Sequence, residues 1–153
     1  MTLNSNAFQR CISPECGATF SPENVLVSCP TCGDLLDIDY EWDRLKVPKQ
    51  LSDFESYWAD RHLPHRFSGV WRFHELLPFV APEDIVTIGE GQTLLQRAER
   101  VANYVGVASK GLYLQYEGMN PSGSFKDNGM TAAFTHARAT GATQAACAST
   151  GNT

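Results

Sequence analysis

The sequence predicts an α/β fold with a parallel sheet, preceded by a small zinc-ribbon-like module. Four of the five cysteines lie within the first 32 residues. After residue 83, strand-like and helix-like segments alternate, which is typical of a parallel sheet. We therefore divide the chain into a four-cysteine module (residues 1–40), a helical and aromatic linking arm (41–82) and the start of an α/β catalytic domain (83–153).

Composition excludes several classes of protein. The chain of 153 residues has a formal net charge of −5 and no cluster of Lys and Arg, which argues against a nucleic-acid partner. No apolar run approaches the roughly 18 residues of a membrane span, and the first ten residues lack the apolar core of a signal peptide. We therefore expect a cytoplasmic protein with neither a nucleic-acid nor a membrane partner.

The clustered cysteines have the spacing of two metal-binding knuckles. The pattern C-x4-C-x12-C-x2-C is formed by Cys11, Cys16, Cys29 and Cys32. Zinc prefers four such thiolates at the corners of a tetrahedron, and four protein ligands leave no open position for chemistry. A glycine after each pair lets the backbone turn and point its amide at a thiolate. We predict a structural zinc site with strands near 25–27 and 35–38; disulfides and unliganded thiols are the alternatives.

The arm has two helix signals. Ser52 and Glu55 have the spacing of a capping box, which predicts a helix that ends near His62, before a proline. A second short helix is predicted at 71–77. The aromatic residues of this region indicate that the arm packs against a larger body.

The remaining residues predict a repeating strand–helix unit. Strands are expected at 84–88, 112–116 and 143–150, and helices at 98–105 and from Lys126 to the Gly141 region. The second helix is expected to bury Met130, Ala133, Phe134 and Ala137. Cys147 is expected to be a small buried residue of the last strand, with a nucleophile as the alternative. Because this strand has no crossover helix after it, we expect the chain to be a fragment.

One loop contains an isolated lysine, Lys126, within "GMNPSGSFKDNGM" (118–130). The glycine spacing is that of a phosphate-binding P-loop, but the lysine comes two positions late and no hydroxyl follows it. A lysine that attacks a carbonyl must be neutral, and both a helix N-terminus and burial favour the neutral amine. Phe125 is expected to anchor this loop in the core. A plain surface lysine is the alternative.

A second loop, "STGNT" (149–153), offers hydroxyls and backbone amides suited to an anion. In a parallel sheet both loops would follow the carboxyl ends of strands, where ligands bind. We therefore expect them to form one site. The alternative for Asn152 is an ordinary turn residue.

These motifs together resemble a known family. "EGMNPSGSFKDNGM", followed by "CASTGNT" and preceded by "IGEGQTLL" and the four cysteines, is similar to threonine synthases. They are pyridoxal-phosphate enzymes of the tryptophan-synthase-β-like (fold-type II) superfamily. Two positions depart from the family pattern: Asn128 stands where arginine is usual, and Leu94 replaces a proline.

The resemblance implies roles for individual residues. Lys126 would hold pyridoxal 5′-phosphate as a Schiff base and then move protons. Phe125 and Asn152 would contact the cofactor, with Asn152 at its 3′-oxygen. The substrate carboxylate would be received by Ser149, Thr150, Gly151 and Thr153.

The implied reaction is that of a lyase, which converts O-phosphohomoserine and water to L-threonine and phosphate. The substrate would be the small-molecule partner, and a homodimer of the full-length protein is compatible with the resemblance. Another β-elimination or replacement enzyme of the superfamily (dehydratase-like or cysteate-synthase-like) and a non-catalytic zinc-binding module are the alternatives. The phosphate-binding loop is expected beyond Thr153, so we expect this polypeptide alone to be inactive.

Overall fold

A computed structural model describes residues 3–4, 6–108 and 111–153. The strands of the described residues are β1 (Ala7–Cys11), β2 (Thr19–Phe20), β3 (Leu36–Tyr40), β4 (Leu94–Arg97) and β5 (Tyr113–Tyr116). The α-helices are α1 (Leu51–Glu55), α2 (Pro64–Phe67), α3 (Glu99–Val105) and α4 (Asp127–Ala139). Short 3-10 helices occupy Trp42–Arg44, Ser56–Asp60, Trp71–Leu76, Pro82–Asp84 and Glu117–Met119. None of the helices in this part of the chain combines the length and hydrophobicity needed to cross a bilayer.

The four-cysteine module contains a three-stranded antiparallel sheet in the order β2-β1-β3. β1 pairs with β3 along its whole length, from Ala7 opposite Tyr40 to Cys11 opposite Leu36. The strand predicted near 35–38 is confirmed with a small shift. The strand predicted at 25–27 is wrong, because Val25 and Val27 are 74% and 94% exposed and that segment pairs with no described strand.

The second sheet has two strands and corrects the predicted topology. β4 pairs with β5 in antiparallel register, with Leu94 opposite Tyr116 and Arg97 opposite Tyr113. The prediction of a parallel sheet is therefore wrong for the described residues, which contain no parallel pair. The helix between the strands explains the difference. α3 has only seven residues and ends at Gly106 with φ +77°, so the chain turns back beside β4 instead of crossing over the sheet.

Two predicted strands do not form. Residues 84–88 begin at the last residue of a 3-10 helix and take no place in either sheet. Residues 143–150 are exposed and without regular structure. A strand needs a neighbouring strand for its amides and carbonyls, and no described strand lies beside these segments. Cys147 is consequently exposed, which contradicts its predicted burial.

The first helix of the arm begins two residues earlier than its sequence predicts. Gln50 caps α1, and Asp53 completes the capping box, instead of Ser52 and Glu55. The α-helix ends at Glu55 and continues only as a 3-10 turn. The predicted second helix near 71–77 is also a 3-10 helix, with a kink at Phe73.

One hydrophobic core joins all three segments of the chain. Its buried members are Leu3, Ala7, Trp71, Phe79 and Val80. Part of α4 packs against them through Ala132 and Ala139. The arm therefore packs against both the first sheet and α4, which brings the N-terminal module next to the helix that follows the lysine. The division into three segments stays a prediction.

Helix α4 buries threonines on the face that meets the core. Its buried residues are Asp127, Thr131 and Thr135, whereas Phe134 is 44% exposed, so the predicted apolar face is wrong. The tertiary environment explains this choice. Thr131 Oγ1 accepts the indole N–H of Trp71 at 2.7 Å and donates to the carbonyl of Val86 at 2.7 Å.

Thr135 supplies a hydrogen-bond partner for the backbone N–H of Val86, the residue whose carbonyl accepts from Thr131. Its Oγ1 accepts the backbone N–H of Val86 at 3.0 Å and donates to the carbonyl of Thr131 at 2.8 Å. Apolar side chains at these positions would leave the amide and carbonyl of Val86 without partners. Burying such groups unpaired costs about 1–3 kcal/mol each, which is why hydroxyls occupy this face.

We expect Thr131→Val to lower the free energy of unfolding by about 1–3 kcal/mol, because an isosteric methyl leaves the Trp71 N–H unpaired. The Val86 carbonyl would keep only the longer hydrogen bond from Thr135 Oγ1, at 3.3 Å. Thr131→Ser is the matched control, since it keeps the hydroxyl. Urea unfolding monitored by tryptophan fluorescence measures both variants. Equal midpoints for the two variants would show that the hydroxyl contributes nothing.

Candidate functional site

Lys126 lies at the N-terminus of α4, as its surroundings in the sequence predict. It is the N-cap residue of the helix and is half-buried. The chain reaches it through the 3-10 turn Glu117–Met119 and a tight turn in which the N–H of Gly123 donates to the carbonyl of Asn120 at 2.7 Å. Gly123 has φ +79°, a conformation that glycine adopts readily. We call residues 117–126 the lysine loop.

The first residue of α4 stabilises this loop. Asp127 is buried, and its carboxylate accepts the backbone N–H of Ser122 at 2.8 Å and the Ser122 hydroxyl at 2.5 Å. Hydrogen bonds to a carboxylate are stronger than neutral ones. The loop is therefore closed onto the helix on which Lys126 stands.

Ser124 joins the lysine loop to the second loop. Its Oγ accepts the backbone N–H of Lys126 at 3.1 Å and donates to the carbonyl of Asn152 at 2.5 Å. Ser124 is itself buried. The structure thus brings residues 149–153 next to Lys126, although the parallel sheet that predicted their proximity does not form.

The second loop folds around one hydroxyl. Ser149 Oγ accepts the backbone N–H groups of Gly151 and Thr153, both at 3.0 Å. These hydrogen bonds form a local turn in which two backbone amides point at the same oxygen. Thr150 and Asn152 are exposed on this loop, so their side chains are accessible to a ligand.

Phe125 differs from its expected position. Its side chain is 56% exposed, so it does not anchor the lysine loop in the core. The buried residue of this stretch is its neighbour Ser124. The ring of Phe125 is thus accessible beside the lysine.

Asn128 links the start of α4 to the beginning of the lysine loop. Its Nδ2 donates to Oε2 of Glu117 at 3.2 Å. The same oxygen accepts Nδ2 of Asn120 at 2.7 Å. The Glu117 carboxylate is therefore paired with the uncharged amide of Asn128. The family that the sequence resembles usually has arginine at position 128.

The four cysteines form a separate cluster. The sulfur atoms of Cys11, Cys16, Cys29 and Cys32 lie within 4.8 Å of one another. Two of these separations are 3.4 Å (Cys11 to Cys32) and 3.8 Å (Cys16 to Cys29). The edge of a tetrahedron with zinc–sulfur bonds of about 2.3 Å is about 3.8 Å. The donor set and its dimensions fit a single tetrahedral metal ion.

Backbone amides support the cluster, but they differ from those predicted. Gly17 and Gly33 have φ of +56° and +85°, as the knuckle turns require. Their N–H groups donate to the carbonyls of Ser13 and Cys29, not to sulfur. Burial acts to raise the pKa of the Cys29 thiol, but hydrogen bonds from nearby backbone amides lower this pKa to about 6. Burial raises the pKa of Cys11. A hydrogen bond from the Asp34 backbone acts to lower the pKa of Cys32, but the hydrogen bond with Cys11 raises this pKa to about 12.

Several residues of the site were not singled out from the sequence. They are Asn120, Ser122, Ser124 and Asp127. Polar residues beside Pro and Gly are typical of turns, and an acidic residue in the first turn of a helix is a common start signal. These signals indicate a loop that closes on a helix, but they do not show which oxygen meets which amide.

Comparison with known proteins finds similarity to pyridoxal-phosphate dependent enzymes. Residues 86–153, which include both loops, match the family described as pyridoxal-phosphate dependent enzyme. The threonine synthase of Methanosarcina acetivorans is 42% identical over 144 residues, which are 94% of this chain and 31% of that protein. The threonine synthase of Methanocaldococcus jannaschii is 39% identical over 145 residues, 95% of this chain and 32% of that protein.

A third relative matches a shorter part. The threonine synthase of Halalkalibacterium halodurans is 43% identical over 81 residues, which are 53% of this chain and 22% of that protein. The chain thus spans less than a third of the length of each of these relatives. Residues 86–153 are thus similar to the pyridoxal-phosphate dependent enzymes, and over nearly its whole length the chain is similar to threonine synthases.

Proposed function

We propose that the protein is part of a threonine synthase, a lyase that converts O-phosphohomoserine and water to L-threonine and phosphate with pyridoxal 5′-phosphate. The observation that carries this proposal is the junction at Ser124, which holds the loop of Lys126 against residues 149–153. The similarity to threonine synthases over 94% of the chain supports this choice of reaction.

The residues present fit a part of the cofactor site. Lys126 offers a primary amine, the group that bonds covalently to an aldehyde, and it lies at the N-terminus of α4. None of the ion pairs in the described part of the chain involves Lys126. When bound, pyridoxal phosphate supplies an electron sink for the substrate carbon atoms.

The resemblance to threonine synthases implies roles for individual side chains. Lys126 Nζ would hold the cofactor and then accept and return protons. The exposed amide of Asn152 would donate to the cofactor's 3′-oxygen, and the exposed ring of Phe125 would contact the cofactor. Each of these three side chains belongs to one of the two loops joined at Ser124.

Residues 149–153 would receive the substrate carboxylate. The N–H groups of Gly151 and Thr153 already converge on Ser149 Oγ, so the loop has the shape of an anion receptor. Thr150 adds an accessible hydroxyl. A carboxylate oxygen that approaches these amides would replace a neutral acceptor by a charged one, which strengthens the hydrogen bonds.

For the cysteine cluster we propose a structural zinc ion. Four thiolates would complete its coordination and leave no position for substrate. The module also contacts α4, because Nε2 of His136 lies 2.8 Å from the carbonyl of Pro22. Since a carbonyl only accepts, Nε2 carries the proton. The metal would therefore stabilise a module that supports the helix of Lys126 from its far end.

The cellular setting is also part of the proposal. Free cysteines at metal-ligand spacing suit the reducing cytoplasm. The full-length enzyme would act on a small amino-acid substrate, and a homodimer is proposed for it. Sedimentation of the full-length protein measures the oligomeric state directly.

We expect pyridoxal phosphate to label Lys126 covalently. The full-length protein is incubated with the cofactor, reduced with borohydride and digested, and the labelled peptide is identified by mass spectrometry. Lys126→Arg should reduce labelling of this peptide to background, because guanidinium does not form the covalent bond under these conditions. A label concentrated on any other lysine would contradict the assignment.

We expect the full-length enzyme to release phosphate from O-phosphohomoserine and to form threonine. Deamination of serine and threonine is assayed in parallel, because a dehydratase of the same superfamily would favour these substrates. Faster deamination than phosphate release would leave the cofactor assignment intact and replace threonine synthase by the dehydratase alternative.

We expect the full-length protein to contain one zinc ion per chain. Cys29→Ser should lose most of this zinc, since it removes one of four ligands. Cys147→Ser is the matched control, because Cys147 lies outside the cluster and should not affect the metal. Elemental analysis of the purified variants measures the zinc content. Full zinc content in Cys29→Ser would refute the four-thiolate site.

A further inference from the structure

Glu90 is a buried acid to which the proposed chemistry assigns no role. Its side chain has no exposed surface. One carboxylate oxygen accepts the hydroxyl of Ser68 at 2.5 Å. The other accepts the Thr87 hydroxyl at 2.8 Å and the Ile88 N–H at 3.0 Å. A buried carboxylate is costly unless donors surround it, and these three donors come from the arm and from the chain just before Glu90.

The Ser68 hydroxyl can only donate to Glu90. Its oxygen already accepts the backbone N–H groups of Val70 at 3.1 Å and Trp71 at 3.0 Å. Both of its lone pairs are therefore in use. Since Ser68 is also fully buried, its hydrogen has no solvent partner and requires an acceptor at position 90.

The second carboxylate oxygen of Glu90 must also act as an acceptor. Thr87 Oγ1 accepts the N–H of Gly89 at 3.1 Å while its hydrogen points to Glu90. Ile88 offers only a backbone N–H. An amide side chain at position 90 would turn its NH₂ group either towards these donors or towards the occupied oxygen of Ser68. Only a side chain whose two oxygens both accept satisfies every partner.

The backbone next to Glu90 connects the arm to the lysine loop. The carbonyl of Glu90 accepts the N–H of Gly69 at 2.7 Å, and the N–H of Gly91 donates to Oδ1 of Asn120 at 2.8 Å. The two glycine backbones are in close contact, since a Cβ added to Gly69 would lie 2.3 Å from the Gly91 oxygen. This contact leaves the turn 89–91 little freedom to shift.

Asn120 transmits this constraint along the lysine loop. It is buried, and its Nδ2 donates to the backbone carbonyl of Glu117 at 3.1 Å. Its own carbonyl accepts the N–H of Gly123 at 2.7 Å. The side chain of Asn120 therefore fixes the start of the loop while its backbone fixes the turn that leads to Ser124.

We propose that Glu90 is a positioning residue for Lys126. Its carboxylate holds the turn 89–91 on the arm, the Gly91 amide holds Asn120, and Asn120 sets the path of the loop that ends at the lysine. This inference rests on the proposed function of Lys126 as the residue that holds the cofactor. It assigns to the arm a part in the site, because Ser68 supplies one of the donors.

The test uses Glu90→Gln in the full-length protein. We expect hydrogen exchange in residues 117–126 to accelerate about tenfold, the effect of losing roughly one hydrogen bond, while exchange in β1 and β3 stays unchanged. At limiting pyridoxal phosphate, the rate of borohydride-trapped labelling at Lys126 should fall by a similar factor. Wild-type exchange and wild-type labelling in this variant would overturn the proposal.

A matched pair separates positioning from general destabilisation. Thr87→Val removes one donor to Glu90 at nearly constant volume, and Thr87→Ser keeps that donor. We expect Thr87→Val to follow Glu90→Gln in direction and Thr87→Ser to match the wild type. Faster exchange throughout β1 and β3 in Glu90→Gln, together with a wild-type Thr87→Val, would show that Glu90 only stabilises the fold.

The two proposals can fail separately. If the wild-type protein is not labelled at Lys126, the cofactor assignment fails, yet the exchange of residues 117–126 still reports on Glu90. If labelling occurs and is insensitive to Glu90→Gln, the cofactor assignment stands and the positioning role is refuted.

Discussion

The hydrogen bonds of Thr131 connect the parts of this structure that the sequence keeps far apart. A single hydroxyl accepts the indole N–H of Trp71 and donates to the carbonyl of Val86. It thereby links three parts of the chain: the arm, helix α4, and the segment that directly follows the arm. Because Trp71 and Thr131 are both buried, water cannot cheaply replace the hydrogen bond between them. The position of α4, and with it the position of Lys126, depends on this junction.

Polar groups inside this structure are paired in two different ways. In the core, neutral hydroxyls pair with an indole and with backbone groups. Beside the lysine loop, the carboxylates of Glu90 and Asp127 accept hydrogen bonds from serine hydroxyls and backbone amides. Charged acceptors give the stronger bonds. The turn 89–91 and the lysine loop are therefore held by the stronger type of contact.

The four-cysteine module takes part in the same arrangement from the opposite end of α4. Its loop reaches His136 through the carbonyl of Pro22, and the side chain of Gln9 donates to two carbonyls of that loop, those of Ser21 and Asn24. A metal held by the cysteines would restrain β1 and this loop together. The module would then stabilise the position of α4 and take no part in the reaction itself.

The sequence by itself determined the local features. The cysteine spacing identified four sulfur atoms that the structure does bring together, and the Gly106 and Lys126 signals placed helix ends within about one residue. These features depend on a few neighbouring residues, so local propensity decides them. The lysine and asparagine motifs also indicated the family, because their chemistry requires particular residue types at fixed spacing.

Only the tertiary structure decided the pairing of strands and the faces of helices. The run 25–27 is as apolar as a strand but has no neighbour to pair with, and β4 and β5 pair antiparallel because α3 is too short to cross a sheet. Helix α4 turns Thr131 and Thr135 inwards since the core supplies donors and acceptors there. Glu90 lies within the motif "IGEGQTLL", but the motif does not indicate its role. Its partner Ser68 is distant in the chain, and so is Asn120, which accepts the N–H of the neighbouring Gly91.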